Sequence, residues 1–226
     1  MQHALITGGS RGLGCALATE LVDRDWNVII TGRDPVELNR VTTSLGRWAT
    51  AVAGDVTDAG HRAELTDLVG STLDLLINNA SYLGPSPLQR LEEIRVAELA
   101  RLMDVNVVAP LALIGSLLPA ISASHGAIVN VSSDAAVEAY PTWGPYGASK
   151  AALDHATAVL IAEHPDLDIY AFDPGDMRTD MHQAAFPGED ISDRPEPDVA
   201  ARALLRLLDA RPPSGRYSSD ALVEVA

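Results

Sequence analysis

Lysine occurs once in these 226 residues, cysteine once and phenylalanine twice, and no apolar run is long enough to cross a bilayer. The single cysteine, Cys15, excludes an internal disulfide framework and fits a reducing compartment. Six histidines lie without the close spacing of metal ligands, so no metal is expected. Basic residues are outnumbered, 16 against 31, leaving a formal charge of −15. That balance excludes the concentrated Lys/Arg face that a phosphate backbone requires. The longest apolar stretch, Val107 to Ile121, contains Pro110, Gly115, Ser116 and Pro119. It falls short of the ~20 residues a bilayer demands and reads as a helix that is buried or packed on another subunit. The opening residues carry no basic leader. A cytoplasmic protein without nucleic-acid or membrane partners is expected.

What is present alternates. Apolar runs at His3–Thr7, Trp26–Thr31, Trp48–Ala53, Leu73–Asn78, Ala127–Val131 and Asp168–Phe172 read as strands. Helical spacing appears over Gly12–Asp23, Pro35–Leu45, Thr57–Val69, Gly147–Glu163 and Val199–Leu208, with two long helices before Ala127. Asp34 and Pro35 suit a cap and a first helical position. This alternation predicts an α/β fold: a doubly wound parallel sheet of Rossmann type with helices on both faces, as one domain over 1–226. Residues 182–197 read as a loop or lid, because 186–197 is polar and marked by prolines.

Two constellations carry chemistry. The first strand runs into Thr7-Gly8-Gly9-Ser10-Arg11-Gly12-Leu13-Gly14 and then a helix. Glycines there permit a tight turn and let the backbone approach a pyrophosphate at a helix N-terminus. The spacing lacks the Gly-Lys-Ser/Thr ending of a P-loop, which disfavours ATP hydrolysis. The second strand ends at Thr31-Gly32-Arg33-Asp34. An acid in this region suits a free ribose 2′-hydroxyl, an arginine a 2′-phosphate, so Arg33 and Arg11 would converge on a phosphate through forked donors. Solvated surface arginines are the plainer alternative. Further on, Ser133 follows a strand end, and Tyr146 and Lys150 are four residues apart on one helix face. An ammonium beside a phenol favours the phenolate and makes tyrosine a usable acid/base group, while a nearby hydroxyl holds a carbonyl oxygen. The chain's only lysine stands at this position.

Together these residues resemble the short-chain dehydrogenase/reductase family from Ala4 to about Met181. Thr7, Gly8, Ser10, Arg11, Gly12, Leu13 and Gly14 fall in what looks like its cofactor fingerprint. Asp55-Val56 is similar to its adenine-contacting pair, and Asn79-Ala80, after Asn78, to the element closing the fourth strand. Asn106 matches the asparagine whose backbone helps hold a proton-relay water. Pro174, Gly175 and Thr179 match the segment gripping the nicotinamide end. The resemblance implies Ser133, Tyr146, Lys150 and Asn106 as the catalytic set, with Tyr146 and Lys150 also touching cofactor. It implies hydride transfer between a nicotinamide and a carbonyl or alcohol carbon. Arg33 favours NADP(H), with NAD(H) as the alternative.

Departures are visible as well. Ser81 replaces the family's glycine, Asp134 follows the serine and places an anion near the pocket mouth, and the usual Asp-Gly-Gly ending is missing, which leaves the last strand open. Tyr82, Leu83, Asp134, Val137, Tyr140, Trp143, Met177, Met181, His182 and Phe186 sit on segments expected to border the pocket. They suggest a small apolar or aromatic carbonyl substrate, with His182 a lid or surface residue. A catalytically silent nucleotide sensor of the same fold is the rival, and the intact Ser–Tyr–Lys set argues against it. A methyltransferase would leave Tyr146, Lys150 and Arg33 unexplained, and a nucleotide-sugar epimerase needs a larger C-terminal region. The apolar Val105–Ile121 and Ala151–Leu160 helices predict a homodimer or homotetramer.

Overall fold

The apolar runs form strands and the periodic segments form helices. The computed structural model describes residues 2–223. β1 (His3–Thr7) leads into α1 (Gly12–Val22), β2 (Asn27–Gly32), α2 (Pro35–Leu45), β3 (Ala49–Ala53), α3 (Ala59–Val69) and β4 (Leu75–Asn78). A long helical stretch follows, in which α4 (Val96–Met103) and α5 (Ala109–Ser124) are joined by a π-turn over Asp104–Val108. Then come β5 (Ala127–Val131), α6 (Gly144–Glu163), β6 (Asp168–Asp173), α7 (Asp180–Ala185), α8 (Pro197–Ala210), β7 (Gly215–Ser218) and α9 (Ser219–Val223).

All strand pairs are parallel, in the order β3-β2-β1-β4-β5-β6-β7. Both sheet faces are covered, which explains why β1 and β4 are apolar without alternation. Ala4, Ile6, Leu75 and Ile77 join Leu17 and Leu21 of α1 and Leu204 of α8 on one face. Leu5 and Leu76 join Leu65 of α3 and Leu113, Leu117 and Ile121 of α5 on the other. Strand order reverses between β1 and β4, so a crevice opens at the carboxyl ends of these strands.

The structure extends the sequence reading in three places. The C-terminal strand left open there exists: β7 pairs with β6, Tyr170 opposite Gly215 and Asp173 opposite Ser218. The expected lid begins inside a short helix, α7, capped by Thr179, whose side chain accepts from His182 N at 3.2 Å. The apolar stretch at 107–121 is only part of a continuous helical segment, Val96–Ser124, of 29 residues, within which an 18-residue window reaches a mean hydropathy of 1.9. That segment is long and apolar enough to span a bilayer, contrary to the shorter count. In the fold its buried face is part of the sheet's cover.

Candidate active site

The glycine turn is held by the segment that follows β4. Asn79 Nδ2 donates to the carbonyls of Thr7 (2.9 Å) and Gly8 (3.1 Å). Thr7 Oγ1 accepts from the backbone N–H groups of Asn79 and Ala80, both at 3.0 Å. Gly14 has no room for a side chain, since a Cβ there would lie 2.3 Å from the Gly8 carbonyl oxygen. Gly8 adopts a φ of +68°, where L side chains are strained. Leu13 is buried and anchors α1 beneath the turn. The result is a rigid turn at a helix N-terminus.

At the end of β2 the first acidic side chain is already committed. Asp34 caps α2, accepting from Val36 N at 2.9 Å and Glu37 N at 3.2 Å. Gly32 lies close against Ser10, and a Cβ there would stand 3.3 Å from Ser10 Oγ, a tight contact. Arg33 is exposed next to it. Burial pushes the Asp55 carboxyl up, but two hydrogen bonds from Thr57 with the charges of Arg33 and Arg101 hold it below the ordinary range. Val56, next to it, is largely buried. The expected convergence of two arginines is not found. Arg11 Nη1 lies 3.0 Å from Asp180 Oδ2 on α7, an exposed ion pair across the crevice. Arg33 faces Asp55 instead. The long reach from Arg11 to Asp180 leaves no local sequence signal.

Across the crevice, Gly175 (φ +71°) donates its N–H to Asp173 Oδ1 at 3.1 Å, turning the chain after Pro174. Thr179 then lies over the glycine turn: its Cγ2 is 3.5 Å from where a Gly12 Cβ would be. The segments expected to hold a dinucleotide therefore line opposite walls of one crevice.

The Ser–Tyr–Lys set meets at its floor. Burial pushes the Tyr146 phenol up to about 12, against hydrogen-bond contacts from Ser81 and Ser133 that act the other way. Lys150 is 2% exposed and its Nζ donates to the Val131 carbonyl at 2.7 Å. Burial brings its ammonium down to about 8, against the carboxylates of Asp154 and Asp173. The expectation that the ammonium lowers the phenol is thus corrected for this state. Nζ stands 5.6 Å from the Tyr146 ring centroid with its hydrogen bond directed to β5, and desolvation dominates. Ser133 Oγ donates to Asp134 Oδ1 at 2.9 Å, and Tyr140 Oη donates to Asp134 Oδ2 at 3.0 Å. Asp134 therefore grips the serine itself.

Asn106 sits in the π-turn, fully buried. Its Oδ1 accepts from Tyr82 N (2.8 Å) and Ser81 Oγ (3.2 Å), and its Nδ2 donates to Tyr82 O and Ser149 Oγ, both at 2.9 Å. Ser81 thereby touches both the tyrosine and the asparagine. Its replacement of the family's glycine is the sequence signal for this role. An ion-pair cluster of Asp154, Asp173 and Arg216 was not foreseen at all.

Of the expected pocket residues, Leu83, Tyr82, Trp143 and Phe186 do cluster with Tyr146. Trp143 packs edge-on at 5.8 Å from Tyr146, and Phe186 lies 5.9 Å from Trp143. His182 is 9% exposed, which excludes a surface residue; its ring lies 4.8 Å from Phe186. Met177 instead packs on the core beside α1 and α8. Val137 and Met181 are exposed. No cluster of three or more metal-ligating side chains occurs among the described residues.

Comparison with known proteins follows the same lines. Residues 2–190 match the sequence model of the family described as short chain dehydrogenase. An uncharacterized oxidoreductase of Saccharomyces cerevisiae is 33% identical over 182 residues, covering 78% of this chain and 71% of that protein. Sepiapterin reductase of Bos taurus is 32% identical over 199 residues, covering 80% and 74%. A short chain dehydrogenase of Shigella flexneri, solved in complex with NADP, superposes with a TM-score of 0.91 at 27% identity, covering 97% of each chain.

Proposed function

The chain belongs to the short-chain dehydrogenase/reductase family of oxidoreductases, and from that premise we propose that it reduces a small apolar or aromatic carbonyl compound with NADP(H), Tyr146 donating the proton. The observation that carries this reading is the convergence of three side chains: the buried Tyr146 phenol, Ser133 in hydrogen-bond contact with it, and the Lys150 ammonium 5.6 Å from its ring. At neutral pH such a phenol keeps its proton and is poised as an acid, the form that reduction requires.

The cofactor fits the residues present. Asn79 and Thr7 fix the glycine turn, and Gly12 beneath Thr179 and Gly32 beside Ser10 bring backbone without a side chain to the crevice. The capped Asp34 is withdrawn from the ribose diol, and Arg33 offers a guanidinium to a 2′-phosphate. Thr7, Gly8, Ser10, Gly12, Leu13, Gly14, Arg33, Asp55, Val56, Asn79, Ala80, Pro174, Gly175 and Thr179 would hold it, with Tyr146 and Lys150 at the reacting end. Arg11 would join them only by leaving Asp180. The NADP-bound neighbour supports this choice, and the relative named a reductase supports the direction. Bound NADPH supplies the hydride.

The chain's own residues handle the oxygen. Ser133 turns its proton from Asp134 to the substrate oxygen and holds it against the phenol. Tyr146 delivers its proton to the developing alkoxide. Lys150, seated on Val131, carries the positive charge that stabilises the phenolate left behind. Asn106 ties the loop after β4 to α6 through Tyr82 and Ser149 and keeps the floor rigid. The enzyme would work in the cytoplasm as a homo-oligomer, in keeping with its free cysteine and its exposed Val108, at the end of the π-turn, and Val159 on α6.

The test is a panel of aldehydes and ketones with either reduced nicotinamide cofactor, followed by Tyr146→Phe. Parent turnover with loss of at least ~100-fold in the variant, at near-normal cofactor affinity, is expected. Cofactor binding without turnover of any carbonyl would favour the sensor reading instead.

A further inference from the structure

β7 supplies the structure's most connected arginine. Arg216 Nε lies 3.0 Å from Asp154 Oδ2, while its Nη2 lies 2.9 Å from Asp173 Oδ2 and donates to the Ser133 carbonyl at 2.9 Å. The three partners belong to α6, to the end of β6 and to the end of β5. Asp154 stands one turn after Lys150 on α6, and Asp173 immediately precedes Pro174. Both carboxylates are mostly buried, with side chains 14% and 8% exposed.

We propose that Arg216 is a positioning residue of this active site: it fixes the Ser133 main chain and balances one of the two carboxylates that face Lys150. For its catalytic meaning the inference rests on the reductase reading. A planar fork with several donors can span three partners at once, which a single ammonium does less well. The charges acting on Lys150 are Asp154 on its own helix and Asp173 on β6. Tyr146 lies one turn before it, and β5, on which the ammonium is seated, brings no ionisable side chain. Asp134, after β5, acts on both Tyr146 and Asp173. On the packed π-turn Asp104 is exposed, while Glu98 and Arg101 of α4 are engaged with Tyr82. With Arg216 in place, the Arg216–Asp154–Asp173 cluster has a net charge of −1. Without it the ammonium faces −2.

A simple ion pair pinning β7 to the sheet would leave Lys150 indifferent to this balance, so Lys150 is the reporter. Because it is the only lysine in the sequence, lysine-selective isotope labelling gives one side-chain resonance to follow by NMR against pH. Arg216→Met is expected to move its titration up by about one pH unit, about tenfold in proton affinity. Asp154→Asn, which keeps the Arg216–Asp173 pair, is expected to move it down by about as much. The double variant should return it near the parent value. If Arg216→Met does not fold, Asp154→Asn carries the test alone. In turnover, Arg216→Met should lose about tenfold in kcat, and its alkaline limb should follow the Lys150 titration. An unmoved Lys150 in folded variants overturns the inference. If Lys150 responds as stated but the parent reduces no carbonyl, the reductase reading fails and the link from Arg216 to Lys150 stands.

Discussion

Exchanging Gly32 for Asp together with Arg33 for Ile should reverse the cofactor choice, and the structure sets the scale of the effect. At position 32 a new Cβ stands 3.3 Å from Ser10 Oγ and 3.7 Å from Leu38 Cδ2, so a side chain enters with a few tenths of an ångström of adjustment. Arg33 is exposed, so its removal leaves the core intact. The helix start is protected too, because the cap comes from Asp34. Loss of one charge-assisted bond to a 2′-phosphate removes about 1.5–3 kcal/mol, roughly 10- to 150-fold in affinity. The new carboxylate adds repulsion to that phosphate, on the order of another tenfold after ionic screening. For NAD(H) the same carboxylate accepts from the ribose diol and strengthens binding. The expected swing in the NADPH:NADH ratio of dissociation constants is therefore about 10²- to 10³-fold. Fluorescence titration of both reduced cofactors measures it. A parent that already prefers NADH, or a variant whose ratio is unchanged, refutes the reasoning.

Asp34→Ala removes a cap bonded to two backbone N–H groups and should cost about 1 kcal/mol, a fall of about 2–4 °C in Tm, without changing the cofactor ratio. Stability should also carry an alkaline signature. Lys150 is lowered to about 8 in the fold, so between there and its unfolded value the unfolded chain binds more protons and stability rises with pH. Tyr146 is raised to about 12, so its contribution falls as pH climbs from about 10. Thermal melts of Lys150→Met and Tyr146→Phe against the parent should show the first rise and the second fall removed. Light scattering at micromolar concentration should show at least a dimer, and a monomer would count against exposed Val108 and Val159 as part of an interface.

Much of this was legible because it is local. β1, its glycine turn and α1 are written in twenty consecutive residues, and Tyr146 and Lys150 share a helix turn. Asp34 reads as a cap because Pro35 follows it. β7 was not legible, since Gly215–Ser218 has no apolar run and owes its place to the register of Tyr170 and Phe172. The Arg216 cluster joins residues 43 to 83 positions apart, and no spacing rule reaches that far. The Arg11–Asp180 pair was not legible for the same reason, since the two residues lie 169 positions apart. The acidity of Tyr146 was misjudged because a pairwise charge argument carries no information about desolvation, which here is the larger effect.

The π-turn at Asp104–Val108 inverts the usual rule for insertions and deletions in helices. A π-turn holds one residue more than the α-helix around it, so deleting a residue there would leave a more regular helix from Val96 to Ser124. The flanking turns would keep their faces, because the wider turn absorbs a residue that a regular helix would answer with a rotation of about 100°. Asn106, placed by the wider turn itself, would swing off Ser149 and Tyr82. In this stretch the smoother backbone belongs to the poorer catalyst, and the irregularity is what joins the crevice floor to the helix that carries Tyr146.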